Sequence, residues 1–202
     1  MSESARAFEE CISRGGVAVF PSDTVYGLAC DPDDAGAIER LYALKRRAPD
    51  KASAVMFFAL DAALAALPEV GPRTRELLAR LLPGAVTVLL PNPHHRFPLA
   101  AVADPGTLGL RVVAVAALAG VRLPVLQSSA NLAGEPEARR LIDVEASIRA
   151  GADLTVDGGE LPGVASTVLD LRRFETDGAD AVRVIRAGAV PEGDVRAVLA
   201  AL

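Results

Sequence analysis

Residues 17–20, Val-Ala-Val-Phe, form a short apolar run that stops at Pro21 and gives way at once to polar side chains. Such a run reads as a buried strand, and proline lacks the amide hydrogen needed to continue pairing in a central ladder. Ser22, Asp23, Thr24 and Tyr26 then bring hydroxyl, carboxylate and phenol groups together, and Gly27 permits a turn or a close backbone approach. In open α/β sheets ligands bind in the crevice beyond strand ends, which gives this cluster a physical reason to be functional. The same groups also suit an Asx or Ser/Thr turn that stops a strand and caps the next element, and both readings stand at this point.

The pattern recurs along the chain. Residues 123–127 read as a strand running directly into Ser128, Ser129, Ala130 and Asn131, and Ser166 and Thr167 open another at 166–171. Further strands are predicted over 54–60, 85–90, 108–115, 154–157 and 182–185, and residues 26–28 read as a turn. Helical spacing of apolar residues, with capping groups or Pro and Gly stops, predicts helices over 4–14, 35–45, 62–67, 73–82, 142–150 and 194–201. This interleaving predicts an α/β fold: one domain over residues 1–202, with a twisted mixed β-sheet flanked by helices.

Composition narrows the function classes. The chain is 51% hydrophobic, so a membrane span has to be considered. No stretch approaches the ~20 apolar residues that a spanning helix needs. Pro68, Pro83, Pro91, Arg111 and Arg122 interrupt the richest segments. The first residues carry Glu3 and no apolar segment, so no secretory leader is expected and a cytoplasmic location follows. Cys11 and Cys30 do not make a disulfide framework. A net charge of −5 argues against general polyanion binding, and 4% aromatic residues limit base-stacking platforms, although a local basic groove for RNA stays open.

Several groups carry chemistry. Lys45, Arg46, Arg47 and Lys51 form a basic run suited to a triphosphate, or alternatively a solvated helix end, as charge runs usually are. Neither a P-loop nor a dinucleotide glycine fingerprint is present. Hydroxyls and amides around Ser129, Asn131 and Ser166 suit phosphate oxygens or a small zwitterion, and each cluster also reads as an ordinary turn. Arg111 lies inside an apolar strand and needs an anionic partner, either an acid of the chain or a carboxylate ligand. Arg186 invites the same two readings. His94 and His95 are adjacent, with no ligand set around them, so no protein metal centre is expected.

Taken in order, these blocks resemble the YrdC-like threonylcarbamoyl-adenylate synthase family. The resemblance rests on Pro21-Ser22-Asp23-Thr24-Val25-Tyr26-Gly27-Leu28, Lys45-x-Arg47 with Lys51, and Leu82-Pro83-Gly84 with Thr87. It continues through Arg111, Ser129-Ala130-Asn131 with Gly134, Asp157-Gly158-Gly159, Ser166-Thr167-Val168 and Arg186-x-Gly188. It implies a YrdC-like fold, without the further C-terminal domain of longer members. The implied activity joins L-threonine, bicarbonate and ATP into threonylcarbamoyl-AMP and pyrophosphate, for modification of tRNA adenosine. By the same resemblance Lys45, Arg47, Lys51, Ser129, Asn131 and Arg186 hold ATP, with Lys45 and Arg47 catalytic through charge neutralisation. Thr24, Tyr26, Arg111 and Ser166 surround threonine, and Mg²⁺ accompanies ATP. Met56 stands where many members carry a histidine that helps hold threonine. Implied partners are tRNA or double-stranded RNA and a threonylcarbamoyl-transferase protein. An adenylate-forming enzyme for another amino acid, or an RNA-binding or ribosome-associated module, are the alternatives.

Overall fold

The computed structural model describes residues 2–48 and 51–202; Pro49 and Asp50 of the basic run lie outside the described residues. The strands are β1 (Ala18–Pro21), β2 (Tyr26–Cys30), β3 (Ala54–Phe57), β4 (Val86–Pro91), β5 (Thr107–Val112), β6 (Val125–Ser129), β7 (Leu154–Thr155), β8 (Thr167–Asp170) and β9 (Arg183–Arg186). The helices are α1 (Glu3–Ser13), α2 (Ala35–Leu44), α3 (Leu60–Ala66), α4 (Pro72–Leu81), α5 (Ala146–Gly151), α6 (Phe174–Asp177) and α7 (Glu192–Ala200). Nine strands form one sheet in the order β7-β1-β2-β6-β3-β5-β4-β8-β9. The β1–β7, β3–β5 and β4–β8 pairs are parallel and the other neighbours antiparallel, as a mixed sheet requires.

The first motif corrects the sequence reading. Residues 26–28 open a strand rather than a turn, with Pro21 facing Tyr26 and Val19 facing Leu28. The reversal is confined to 22–25, where Ser22 Oγ accepts from the Thr24 and Val25 amides at 3.1 and 3.2 Å. Pro21 is tolerated in β1 because β7 reaches only Ala18 and Val19 on the other side, leaving no partner that asks for its missing donor. The segment 142–150 also divides, into a 3₁₀ turn at Leu141–Asp143 and the shorter α5. Asp143 explains the break, because its carboxylate accepts from the Arg140 amide and guanidinium and closes a turn of its own.

The two faces of the sheet are covered differently. On one, Leu41 of α2 and Leu77 and Leu78 of α4 pack against Leu28, Val55, Val88, Leu110 and Leu126 in the main core. On the other, Phe8 and Ile12 of α1 cover Phe20, Ala29, Met56, Val113 and Val125. Phe8, Phe20 and Phe58 meet in tilted and edge-on contacts with centroids 5.5–6.4 Å apart, an arrangement favoured by the ring quadrupoles. This patch covers only part of its face. Side chains two residues apart along a strand share a face, so Gly27 lies on the face of Ala29, Ala54 on that of Met56, and Gln127 on that of Val125. Arg111 likewise follows Gly109 and precedes Val113. Gly27, Ala54, Gly109, Arg111 and Gln127 line an open concavity where the covering helix stops. A Cβ at Gly27 would come within 2.8 Å of the Phe20 ring, so its lack of a side chain keeps this end of the floor low.

Candidate active site

The concavity is a cavity of about 500 Å³ that crosses the sheet from β2 to β8. At its centre is Arg111, 4% exposed on β5. One guanidinium nitrogen donates to the Asp23 carboxylate and to Thr24 Oγ1, the latter at 2.7 Å. Thr24 Oγ1 is itself 3.0 Å from Ser22 Oγ. Burial, helped by the nearby Arg186 charge, lowers the pKa of Arg111, and Asp23 opposes that effect. Arg111 Nε, also buried, has no hydrogen-bond partner among the described residues.

Toward β4 and β8 lies a second hydroxyl pair, Thr87 Oγ1 and Ser166 Oγ, 2.8 Å apart. Arg186 reaches the same point, donating to the Ser166 carbonyl at 2.8 Å and lying 3.2 Å from its hydroxyl. At the opposite end, Arg47 donates to Ser128 Oγ at 2.9 Å and to the Ala52 carbonyl at 2.6 Å, with its guanidinium 5.3 Å from the Tyr42 ring centroid. Arg172 closes the rim, held by Asp170 at 2.7 Å and lying 3.3 Å from Thr107 Oγ1.

The structure therefore brings Thr24, Arg47, Arg111, Ser129, Ser166 and Arg186 to one cavity. Tyr26, Lys45, Lys51 and Asn131 are not among its lining residues. Tyr26 belongs to β2 and faces the main core, opposite in register to Gly27. Its hydroxyl lies 2.9 Å from the Asp157 carboxylate and the Gly159 carbonyl and accepts from the Gly158 amide, so it anchors that turn. Lys45, the cap of α2, is no solvated helix end: it is 3% exposed. Its ammonium donates to the Ser129 carbonyl and to the carbonyl and side-chain oxygens of Asn131, the last two at 2.7 and 3.1 Å. Three donors meet three acceptors, and the 129–131 turn is pinned from behind. The exposed Lys51 contributes its carbonyl, which lies 3.3 Å from the Tyr42 hydroxyl.

Thr87 had a legible signal as a polar residue inside an apolar strand, the same signal that singled out Arg111. Asp104, Gln127, Glu137 and Arg172 also line the cavity. The three charged ones sit on loops, where no periodicity marks them.

The sequence profile of the Sua5_yciO_yrdC family, described as telomere recombination, matches residues 10–188. The chain belongs to the Sua5/YciO/YrdC family. A protein named threonylcarbamoyl-AMP synthase from Chromohalobacter salexigens is 35% identical over 188 residues, covering 87% of this chain and 98% of its own length. A Xanthomonas oryzae protein of the same name is 35% identical over 153 residues, covering 73% of this chain and 81% of its own. Among solved structures, a P. abyssi Sua5 variant superposes with a TM-score of 0.85 at 25% identity, over 98% of this chain and 60% of that one. E. coli YciO gives 0.74 at 25% identity, over 93% of this chain and 90% of its own. The chain thus spans about 60% of the length of the Sua5 chain it matches. In this Sua5/YciO/YrdC chain Met56 is fully buried beside Arg111 in the aromatic patch and does not line the cavity.

Two outcomes follow from these contacts. Removing one member of a buried ion pair leaves an uncompensated charge. Asp23→Asn should therefore lower unfolding stability by about 3 kcal/mol in urea titrations, and adding Arg111→Met should restore part of the loss. A double variant no more stable than the single one contradicts this. Burial also pushes the Lys45 ammonium down from its ordinary 10.5 to about 8. Between those values the unfolded chain binds more protons at this group than the folded chain, so its contribution to stability grows as pH rises from about 8 toward 10.5. The stability difference between wild type and Lys45→Met should increase across that window, and a flat difference contradicts the buried ammonium.

Proposed function

We propose that the chain is a threonylcarbamoyl-AMP synthase, joining L-threonine, bicarbonate and ATP into threonylcarbamoyl-AMP with release of pyrophosphate. The observation that carries this reading is one cavity holding both a buried arginine among hydroxyls and a separate arginine–serine end. The first suits the carboxylate and hydroxyl of a small amino acid, and the second suits phosphate oxygens. The relatives that share the name support it. So does a P. abyssi Sua5 structure, described as complexed with L-threonine, which shares this fold with a TM-score of 0.84 at 24% identity.

In this reading Thr24, Arg111 and Ser166 face threonine and Arg47 and Ser129 face ATP, while Arg186, set beside Ser166 rather than at the Arg47–Ser129 end, meets the nucleotide where its phosphates extend across the cavity. Lys45 and Asn131 serve the nucleotide end through the turn they fix, Lys51 through the carbonyl that meets Tyr42, and Tyr26 serves the threonine end through its place on β2 directly after the 22–25 turn, its hydroxyl being taken up by residues 157–159. The threonine ammonium gives up a proton to solvent, and the free amine bonds to the bicarbonate-derived carbon as water leaves. A carbamate oxygen then bonds to the α-phosphorus as the bond to pyrophosphate breaks. No nucleophilic side chain is needed, so the protein acts by orienting the reactants and neutralising charge. Mg²⁺ would neutralise polyphosphate charge. Among the described residues no group of three or more His, Cys, Asp or Glu is placed to hold a metal ion. No step is assigned to the ion.

The product is a mixed anhydride, which suits onward transfer to tRNA adenosine by a threonylcarbamoyl-transferase partner. We place this chemistry in the cytoplasm, with the tRNA it serves. Purified protein supplied with ATP, Mg²⁺ and bicarbonate should release pyrophosphate with threonine, at least tenfold faster than with serine or with no amino acid. Equal release in all three mixtures refutes the reading, and preference for serine assigns the adenylate chemistry to another substrate.

A further inference from the structure

The cavity is rich in positive charge: Arg47, Arg111, Arg172 and Arg186 all line it. Two carboxylates line it as well, Asp104 and Glu137. Asp104 is committed, accepting from the Gly106 amide at 3.1 Å and the Thr107 hydroxyl at 2.6 Å and lying 3.7 Å from Arg172. Asp23, at the cavity's edge, is committed to Arg111. Glu137 is half-buried, and its carboxylate has no hydrogen-bond or ion-pair partner among the described residues.

Its place is fixed by the backbone on both sides. Two residues before it, the Glu135 carbonyl accepts from the Asn131 side-chain amide. One residue after it, the Ala138 carbonyl accepts from the Tyr26 amide at 3.0 Å. The charge of Glu137 raises the proton affinities of both Lys45 and Arg111 against the larger effect of burial, so it acts on both groups.

An amino acid enters such a site as a zwitterion. Arginines attract its carboxylate and repel its ammonium, so a cavity lined by four of them disfavours the amine unless an acid stands nearby. We infer that Glu137 receives the α-ammonium of the amino-acid substrate and makes the cavity selective for a zwitterion over a plain carboxylate. This rests on the synthase reading above and adds to it the residue that recognises the amine. Placed there, the nitrogen is held between the acid and the nucleotide end, where the carbamate it forms has to meet the α-phosphorus.

The test is calorimetric titration of wild type and Glu137→Gln with L-threonine and with (R)-3-hydroxybutanoate, which keeps the carboxylate and hydroxyl but lacks the amine. ATP is titrated with and without Mg²⁺. A charge-assisted hydrogen bond of ordinary strength corresponds to about a tenfold effect. Glu137→Gln should therefore bind threonine about tenfold more weakly, while binding of hydroxybutanoate and of ATP in both forms stays within about twofold of wild type or tightens. Equal losses for threonine and hydroxybutanoate would make Glu137 a general organiser of the arginines and overturn the inference. So would unchanged threonine affinity, or a loss confined to ATP with Mg²⁺. Absence of amino-acid binding in wild type overturns the synthase reading itself, an outcome distinct from the others because it appears before any substitution is made.

Discussion

A guanidinium inside a sheet is costly unless it is paired, and the pairing of Arg111 organises this molecule. Arg111 sits on β5, and its partners Asp23 and Thr24 belong to the turn between β1 and β2, with β6 and β3 in between. The contact therefore reaches across the concave face from one hairpin to the middle of the sheet. It places a polar turn over the floor and leaves beneath it a space that no apolar side chain fills. The same charge that demands Asp23 for stability makes the cavity attractive to a carboxylate.

How far that space extends is decided by the other tenants of the face. Phe8 and Ile12 of α1 cover Phe20, Met56, Val113 and Val125, and where α1 ends the alternate positions become Gly27, Ala54, Gly109 and Gln127. Small and polar residues thus continue the same rows that bulky apolar residues began. Behind the opposite wall, Lys45 performs the task that a backbone amide cannot, filling three carbonyl-type acceptors of the 129–131 turn at once. Its burial separates it from Arg47, two residues later, which remains at the cavity surface.

Local grammar made much of this legible in the sequence. Short apolar runs broken by Pro, Gly and hydroxyl residues mark most strands, and Arg111 stands out because a charge interrupts such a run. Tyr26 reads as part of a turn because a five-residue strand beginning immediately after a reversal is too short to show alternation. Its direction, toward the core and the 157–159 turn, depends on pairing with both β1 and β6. The role of Lys45 was hidden for a related reason: a lysine at a helix end looks solvated until the fold lays the carbonyls of residues 129 and 131 against it. Glu137 and Arg172 carry no local signal, since they reach the cavity only through loops closed by distant contacts. The four-residue α6 is likewise set by tertiary contact, with Glu175 accepting from the Thr74 amide and hydroxyl at 2.8 Å.

The most direct test of this account is a crystal structure of the chain with L-threonine and a non-hydrolysable ATP analogue. The account predicts the threonine carboxylate within hydrogen-bond distance of the Arg111 guanidinium and the phosphates at the Arg47–Ser129 end of the same cavity. Threonine bound away from Arg111, with that guanidinium engaged only by Asp23 and Thr24, would contradict it.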